Sequence, residues 1–350
     1  MRIAIDTHQI TNGDPNVFAW GYGILPLLPT LLPEHIFVFI EYGGPDYKAK
    51  NVEEVHEFST TNADHYFSLD KHGHYEEIPG VLTVLELDDK PVSRKPWWLF
   101  WTIAVDHFVK RLDEAINVVV PHQRLKKTLL SNYPVDPNKI IVVGHGLPPI
   151  EEFLITPADS VTRRITKEVY GKEHSYFLAP CYGHPSDNLE RLFAAYDIFR
   201  ERCPEPIQLL VESLGESPSR SVRKAKRAAK FKEDISFLSS LKPSERRKVV
   251  SSARAILFPS LSTRFPLPVL DAWTAEVPVL YTDNDILQGA GALVQGEDVN
   301  SIAEGIVSLV TTPFLASGLV ENGKRRREAF QWEAVAQRVA EVIRSVSASA

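Results

Sequence analysis

Short, nearly continuous apolar runs recur along the chain and carry the strand signal. Arg2 to Ile5 reads as one buried strand and Ile36 to Ile40 (IFVFI) as another, with the Leu/Pro-rich stretch Gly23 to Pro33 between them. Runs without polar alternation suit strands covered on both faces, as in parallel sheets whose crossovers are helices. Val81 to Leu85, Ala115 to Val120 and Ile140 to Val143 extend the series, several of them separated by stretches of helical period. Past Pro148-Pro149 the chain is polar and charged through Thr166. A second series then begins: Tyr176 to Ala179, Ile207 to Val211, Ile235 to Leu238, Ala255 to Phe258 and Val277 to Tyr281. The pattern predicts an α/β protein of two doubly wound parallel sheets joined near 150 to 170. Trp332 to Val346 (WEAVAQRVAEVIRSV) spaces its apolar residues by three and four, which predicts a helix with one face to dock.

Composition agrees with two domains. The 350 residues exceed what one core of about 250 residues encloses, and 44% hydrophobic with 24% charged is an ordinary globular balance. Thirty-nine Lys and Arg against 45 Asp and Glu give a net charge of -6, which argues against nucleic acid as a partner. Cys181 and Cys203 alone exclude a disulfide scaffold or a four-cysteine zinc site and fit a reducing, cytoplasmic setting. The opening MRIAIDTHQIT enters a strand pattern at once, so no signal peptide is expected. No run of 18 apolar residues predicts a spanning helix.

Familiar phosphate and hydrolase signatures are missing. There is no G-x-x-x-x-G-K-[ST], no G-x-G-x-x-G after a strand and no G-x-S-x-G. His65, His72 and His74 with Glu76 and Glu77 offer an H-x-H pattern, but loop histidines are the plainer reading and no metal is expected. Trp97, Trp98 and Trp101, bracketed by Arg94-Lys95 and Lys110-Arg111, suit either peripheral contact with the inner face of an anionic membrane or burial in a helix. The basic stretches Arg220 to Lys232 and Lys324 to Arg327 read as helices solvated on one face.

One segment is more specific. Ala255-Ile-Leu-Phe-Pro-Ser-Leu-Ser-Thr-Arg-Phe-Pro-Leu-Pro-Val-Leu-Asp-Ala272, followed by Val277-Pro278-Val279, resembles the donor-site motif of family-four glycosyltransferases, PS-x-x-EGFGLPxLEA. MRIAID at the start, Lys139-Ile-Ile-Val-Val-Gly-His-Gly146, Tyr176-Phe-Leu before Asn188-Leu189, and Phe330-Gln-Trp-Glu333 fall in that family's order. The resemblance implies a GT-B fold: two Rossmann-like lobes facing a central cleft. It implies an acceptor-side lobe over 1–160, a nucleotide-sugar-binding lobe over 161–330, and a terminal helix over 331–350 crossing back to the first lobe.

The motif assigns candidate residues. Pro268 suits the first position of a helix whose free amides and positive dipole end would face a diphosphate. By resemblance Asp271 stands where the family's second glutamate accepts the ribose hydroxyls, and the backbone of Phe265, Pro266 and Leu267 would line the sugar. Thr263 occupies the place of the first glutamate, near the sugar hydroxyls. Arg264 and Pro266 replace two glycines, and Glu276 and Cys181 replace two more. Where the family carries a phosphate-neutralising lysine, this chain has Asp187, which would repel a diphosphate; Ser186 replaces a frequent arginine. Arg264 is the first candidate to compensate and His184 the second; both also read as ordinary loop residues. Asn188 belongs to the donor side. Gly13 sits in the turn that touches donor phosphates and acceptor in the family, and reads equally as part of a plain Asn-Gly turn; Asn16, Glu86 and His145 are acceptor-side positions, His145 also reading as a structural residue. Glu86 follows Leu85 where the family's "HD" is usual.

The resemblance therefore predicts a nucleotide-sugar-dependent transferase acting with retention on a saccharide or lipid-linked glycan in cell-surface polysaccharide synthesis. The nucleotide sugar is a co-substrate, and no cofactor is expected. Thr263, Asp187 and Leu85 also admit a second reading, a catalytically impaired homologue that binds or regulates an active transferase.

Overall fold

The computed structural model describes residues 1–7, 10, 15–40, 49–56, 62–71, 78–87, 107–148, 154–214, 218–239 and 241–347. Gly13, His72, His74, Glu76, Glu77, Trp97, Trp98 and Trp101 lie outside the described residues. The chain divides into two units. The first comprises Met1–Pro149, Thr263–Phe265 and Phe330–Ala350, and the second Ile150–Ser262 and Pro266–Ala329. The division thus falls at Pro149, ahead of the boundary expected at 160.

In the first unit, β1 (Arg2–Asp6), β2 (Ile36–Ile40), β3 (Val52–Val55), β4 (His65–Phe67), β5 (Gly80–Thr83), β6 (Asn117–Val120) and β7 (Ile140–Val142) form one parallel sheet in the order β3-β2-β1-β4-β5-β6-β7. β1 pairs with β2 in the register Ile3↔Phe37 and Ile5↔Phe39, so two apolar runs meet side by side. Helices α1 (Pro15–Ile24) and α2 (Gln123–Asn132) cover it. Trp20, Phe37, Phe39 and Phe67 are fully buried on one side, and Val118, Val120, Leu125 and Leu129 form a second core on the other. β3 and β4 were not read from the sequence. β3 is the edge strand VEEV, with its two glutamates exposed, and β4 has only three residues, His-Tyr-Phe. Neither shows a long apolar run.

The second unit repeats the plan. Helix α3 (Ser160–Tyr170) leads into β8 (Tyr176–Cys181), followed by α4 (Leu189–Arg202), β9 (Gln208–Ser213), α5 (Arg220–Ala228), β10 (Ile235–Leu238), α6 (Pro243–Ser251), β11 (Ala255–Phe258), α7 (Leu267–Thr274), β12 (Val279–Tyr281), β13 (Ala292–Leu293), α8 (Val299–Thr311) and α9 (Pro313–Arg326). The sheet is parallel in the order β10-β9-β8-β11-β12-β13. All six residues of β8 are buried, as the central strand requires. Strand order reverses between β8 and β11, the point at which such sheets leave a crevice beyond their carboxyl ends. The expected pair of doubly wound sheets is thus observed.

Helix α7 ends in a Schellman motif: Val277 N–H donates to Ala272 O (2.9 Å), and Glu276 N–H reaches Trp273 O (3.4 Å). Glu276 fills the left-handed position with φ of 56°, the conformation that a glycine adopts without steric cost. Its carboxylate pairs with Lys324 (3.3 Å).

The last helix, α10 (Trp332–Ser347), belongs to the first unit and packs on α1 and β6. Trp332 Nε1 donates to Leu147 O (2.6 Å). A Cβ on Gly23 or Gly146 would lie 2.1 or 2.5 Å from the Trp332 indole, so only glycine allows that approach. Among the described residues no single helix is long and apolar enough to cross a membrane.

Candidate functional site

In the second unit the crevice beyond β8 and β11 is bounded by the turn that follows each strand. After β8 the chain turns through Tyr182 and Gly183 into a short helical turn, Pro185–Asp187, and Asn188 then adopts φ of 63° before α4. Three backbone amides in this turn point at one oxygen. Tyr182, Gly183 and His184 N–H donate to Asp187 Oδ2 at 2.9, 2.9 and 3.0 Å. Consecutive amides of this kind form an anion cradle, and here the chain's own carboxylate fills it. Burial pushes the Asp187 carboxyl above its usual value, against the pull of the thiol and of those amides. Burial, then the neighbouring Asp187, pushes the Cys181 thiol up to about 12. Asp187 therefore acts inward on the turn. The expectation of a bare negative charge facing a diphosphate is corrected to a carboxylate already enclosed by donors.

Two further donor-side candidates are committed to structure. Asn188 Nδ2 donates to Pro259 O (2.9 Å) and Gly296 O (2.6 Å), and its Oδ1 accepts from Arg191 (3.0 Å), so the buried amide ties three loops together. That replaces the expected donor contact. His184, exposed, caps the helical turn through Nδ1, which accepts from Ser186 N–H (3.3 Å) and lies 2.8 Å from Ser186 Oγ. Ser186 O in turn accepts from Leu261 N–H (2.8 Å), linking the turn after β8 to the loop after β11.

Helix α7 begins at Leu267, with Pro266 as its N-cap and Pro268 second rather than first. Asp271, one turn on, is buried and part of an ionic trio. Arg246 on α6 places Nη2 2.6 Å from Asp271 Oδ2 and Nε 2.8 Å from Glu212 Oε1 at the end of β9. Asp271 Oδ1 has no hydrogen-bond partner among the described residues, and Glu212 Oε2 is likewise unsatisfied. Burial pushes the Glu212 carboxyl up, opposed by Arg246. Two carboxylates around one guanidinium carry a net charge of about -1, too little positive charge to neutralise a diphosphate. Sequence reasoning found Asp271 but missed Arg246 and Glu212. The available signal was a glutamate at the end of a buried strand, LLVE, where polar side chains are costly without a partner.

The other motif residues group with the first unit. Thr263 Oγ1 accepts from Leu87 N–H (3.0 Å) and donates to Leu87 O (3.1 Å). His122 Nδ1 accepts from Leu125 N–H at the start of α2, which leaves Nε2 protonated to donate to Thr263 O (3.0 Å). Arg264 pairs with Glu86, and Lys71 Nζ stands 4.0 Å from the same carboxylate. Arg264, expected as a free phosphate ligand, is thus already paired. Phe265, 1% exposed, stacks on His145 with centroids 4.1 Å apart and planes 6° apart. His145 also meets Trp332 and gives Nδ1 to Gly146 O (2.7 Å). Burial drops its pKa to about 3, so the ring is neutral packing, the structural one of the two roles its sequence position allows. Asn16, buried, is the second residue of α1.

The structure thus brings Thr263, Arg264, Phe265, Glu86 and His145 together in one unit. It places Asp271, Pro266, Leu267, Pro268, His184 and Asn188 in the other. No cluster of three or more His, Cys, Asp or Glu able to hold a metal occurs among the described residues.

Residues 174–312, which belong to the second unit apart from Thr263–Phe265, match the family described as Glycosyl transferases group 1. No curated protein matches the chain. Among solved structures, a sucrose-phosphate synthase from Thermosynechococcus elongatus superposes with a TM-score of 0.70 at 15% identity, covering 100% of both chains. WaaG, a glycosyltransferase involved in lipopolysaccharide biosynthesis, gives 0.66 at 14% identity over 97% of this chain and 99% of its own. Anabaena HepE, solved with UDP and glucose, gives 0.69 at 10% identity over 99% of this chain and 100% of its own. The resemblance to group 1 glycosyltransferases is shown for the second unit, and the chain has the GT-B fold.

Proposed function

We propose that the protein transfers a sugar from a nucleotide-sugar donor, bound by the second unit, to a saccharide or lipid-linked glycan, with retention of configuration. The reading is carried by the match of residues 174–312, a stretch that includes the switch-point crevice and Asp271. Asp271 Oδ1 is the acceptor we assign to the ribose hydroxyls, while Oδ2 stays on Arg246. The first turn of α7 supplies a positive dipole end for phosphate. Stabilising the departing diphosphate by one such donor is worth a few kcal/mol. HepE's complex with UDP makes a uridine nucleotide the first donor to try. Transfer in cell-surface glycan synthesis, in the cytoplasm or peripherally on the membrane's inner face, and without a cofactor, completes the proposal.

Calorimetry against UDP-, GDP-, dTDP- and CMP-sugars tests it. One donor should bind, and Asp271→Ala should abolish that binding. A second reading has its own support: Asp187 fills the amide cradle, and Thr263 and Arg264 belong to the first unit and are bonded within it. Silence across the donor panel would favour a non-catalytic partner of an active transferase.

A further inference from the structure

The second unit carries a cavity at the edge of its sheet opposite the crevice. Its volume is about 460 Å³, within the range of small-molecule sites. Tyr176 at the start of β8, Arg254 just before β11, and Glu276 with Val277 just before β12 line one wall. Helix α3 supplies the other through Arg163, Arg164 and Lys167. Because β8 spans six residues, roughly 20 Å separates this edge from the carboxyl ends of the strands.

Its charge is one-sided. Arg163, Arg164 and Lys167, at spacings of three and four, lie on one helix face, and Arg254 adds a fourth cation from across the cavity. Glu276, the acid in the lining, is already paired with Lys324. Arg164 stands 3.8 Å from Glu168, and Arg163 uses Nε on Ala158 O (3.2 Å). Neither the Lys167 ammonium nor the Arg254 guanidinium has an ion-pair partner among the described residues. Like charges gathered round a concave surface repel one another, a cost that an anion bound among them reverses.

We propose that this cavity is a second ligand site, taking a phosphate-bearing molecule whose phosphoryl group lies between Lys167 and Arg254. Guanidinium forks match phosphate oxygens in pairs, and lysine adds a point charge. The volume leaves room for a body of about sugar-phosphate size. Two sources share this chemistry: a soluble phosphorylated metabolite and an anionic lipid headgroup.

Titration of the whole protein with inorganic pyrophosphate, by calorimetry and by thermal shift, is the test. Binding is expected, weakened about tenfold or more in Lys167→Ala/Arg254→Ala and unchanged in Arg220→Ala/Lys224→Ala, which removes the same charge from α5. The unliganded melting temperature of each variant shows that it folds. Co-sedimentation with phosphatidylglycerol vesicles, against phosphatidylcholine, separates the sources. Capture lost in the cavity variant assigns a headgroup, and pyrophosphate binding without capture assigns a soluble ligand. Absence of both, or pyrophosphate affinity equal in the cavity variant and the wild type, overturns the proposal.

Discussion

Replacing Arg246 by methionine removes the one cation between two buried carboxylates. Glu212 is 1% exposed and Asp271 4%, so neither regains full hydration when the guanidinium goes. Breaking a buried pair by deleting one partner costs about 3–5 kcal/mol. The Arg246 side chain retains 20% of its exposure, which places the expected loss at the lower end, about 3 kcal/mol, or roughly 150-fold in the folding equilibrium of the second unit. With a urea dependence of about 2 kcal/mol per molar, the midpoint falls by about 1.5 M. The sign of the pH dependence follows from Glu212. Its carboxyl is already pushed up by burial and rises further without Arg246, so the folded variant takes up protons that the unfolded chain releases. The loss is therefore full at pH 7.5 and shrinks as the pH falls through that raised value. Urea unfolding of wild type and Arg246→Met at pH 7.5 and pH 5, read by hydrogen exchange of β9 and α7 amides, measures both effects. A loss below 1 kcal/mol, or one equal at the two pH values, would refute the trio as the lock on Asp271.

Two further outcomes follow from the same kind of reasoning. Asp187→Ala leaves three amide donors unanswered and should cost about 2–4 kcal/mol; added sulfate should restore part of this in the variant and leave the wild-type melting temperature nearly unmoved, and an equal response in both would count against the cradle. His145 titrates near 3 in the folded state instead of 6.5, so it adds stability above pH 6.5 that is lost as the pH falls toward 3. His145→Phe keeps the stack on Phe265 and should flatten the acid limb of the first unit's stability curve; an unchanged limb in acid titration followed by circular dichroism would remove His145 as its source.

Continuous apolar runs made most of both sheets legible, because a strand buried on two faces has no polar alternation to confuse it with a helix. IFVFI and AILF are observed where they were read. VEEV at a sheet edge and the two-residue β13 fall below that signal. At the site, the local motif pointed to Asp271, since a loop-to-helix start is written in neighbouring residues. Its counter-ion was not legible: Arg246 stands 25 positions away in Arg-Arg-Lys, where nothing local distinguishes the inward side chain from its solvated neighbours. Cys181, Glu276 and Asp187 were noticed as departures from a pattern. Only the fold shows Glu276 in a glycine conformation and Asp187 turned onto its own backbone.

The first unit is assembled from pieces far apart in the chain, and this sets a schedule for making the protein. Its core counts Ile5, Trp20 and Phe39 beside Trp332, Val335, Val339 and Ile343. A nascent chain that has left the ribosome as far as residue 149 thus holds an open apolar face until Trp332 and the helix it begins have followed. The second unit, which is translated later, has all its parts in hand by Ala329 and so can complete its interior first. What emerges earliest is finished last.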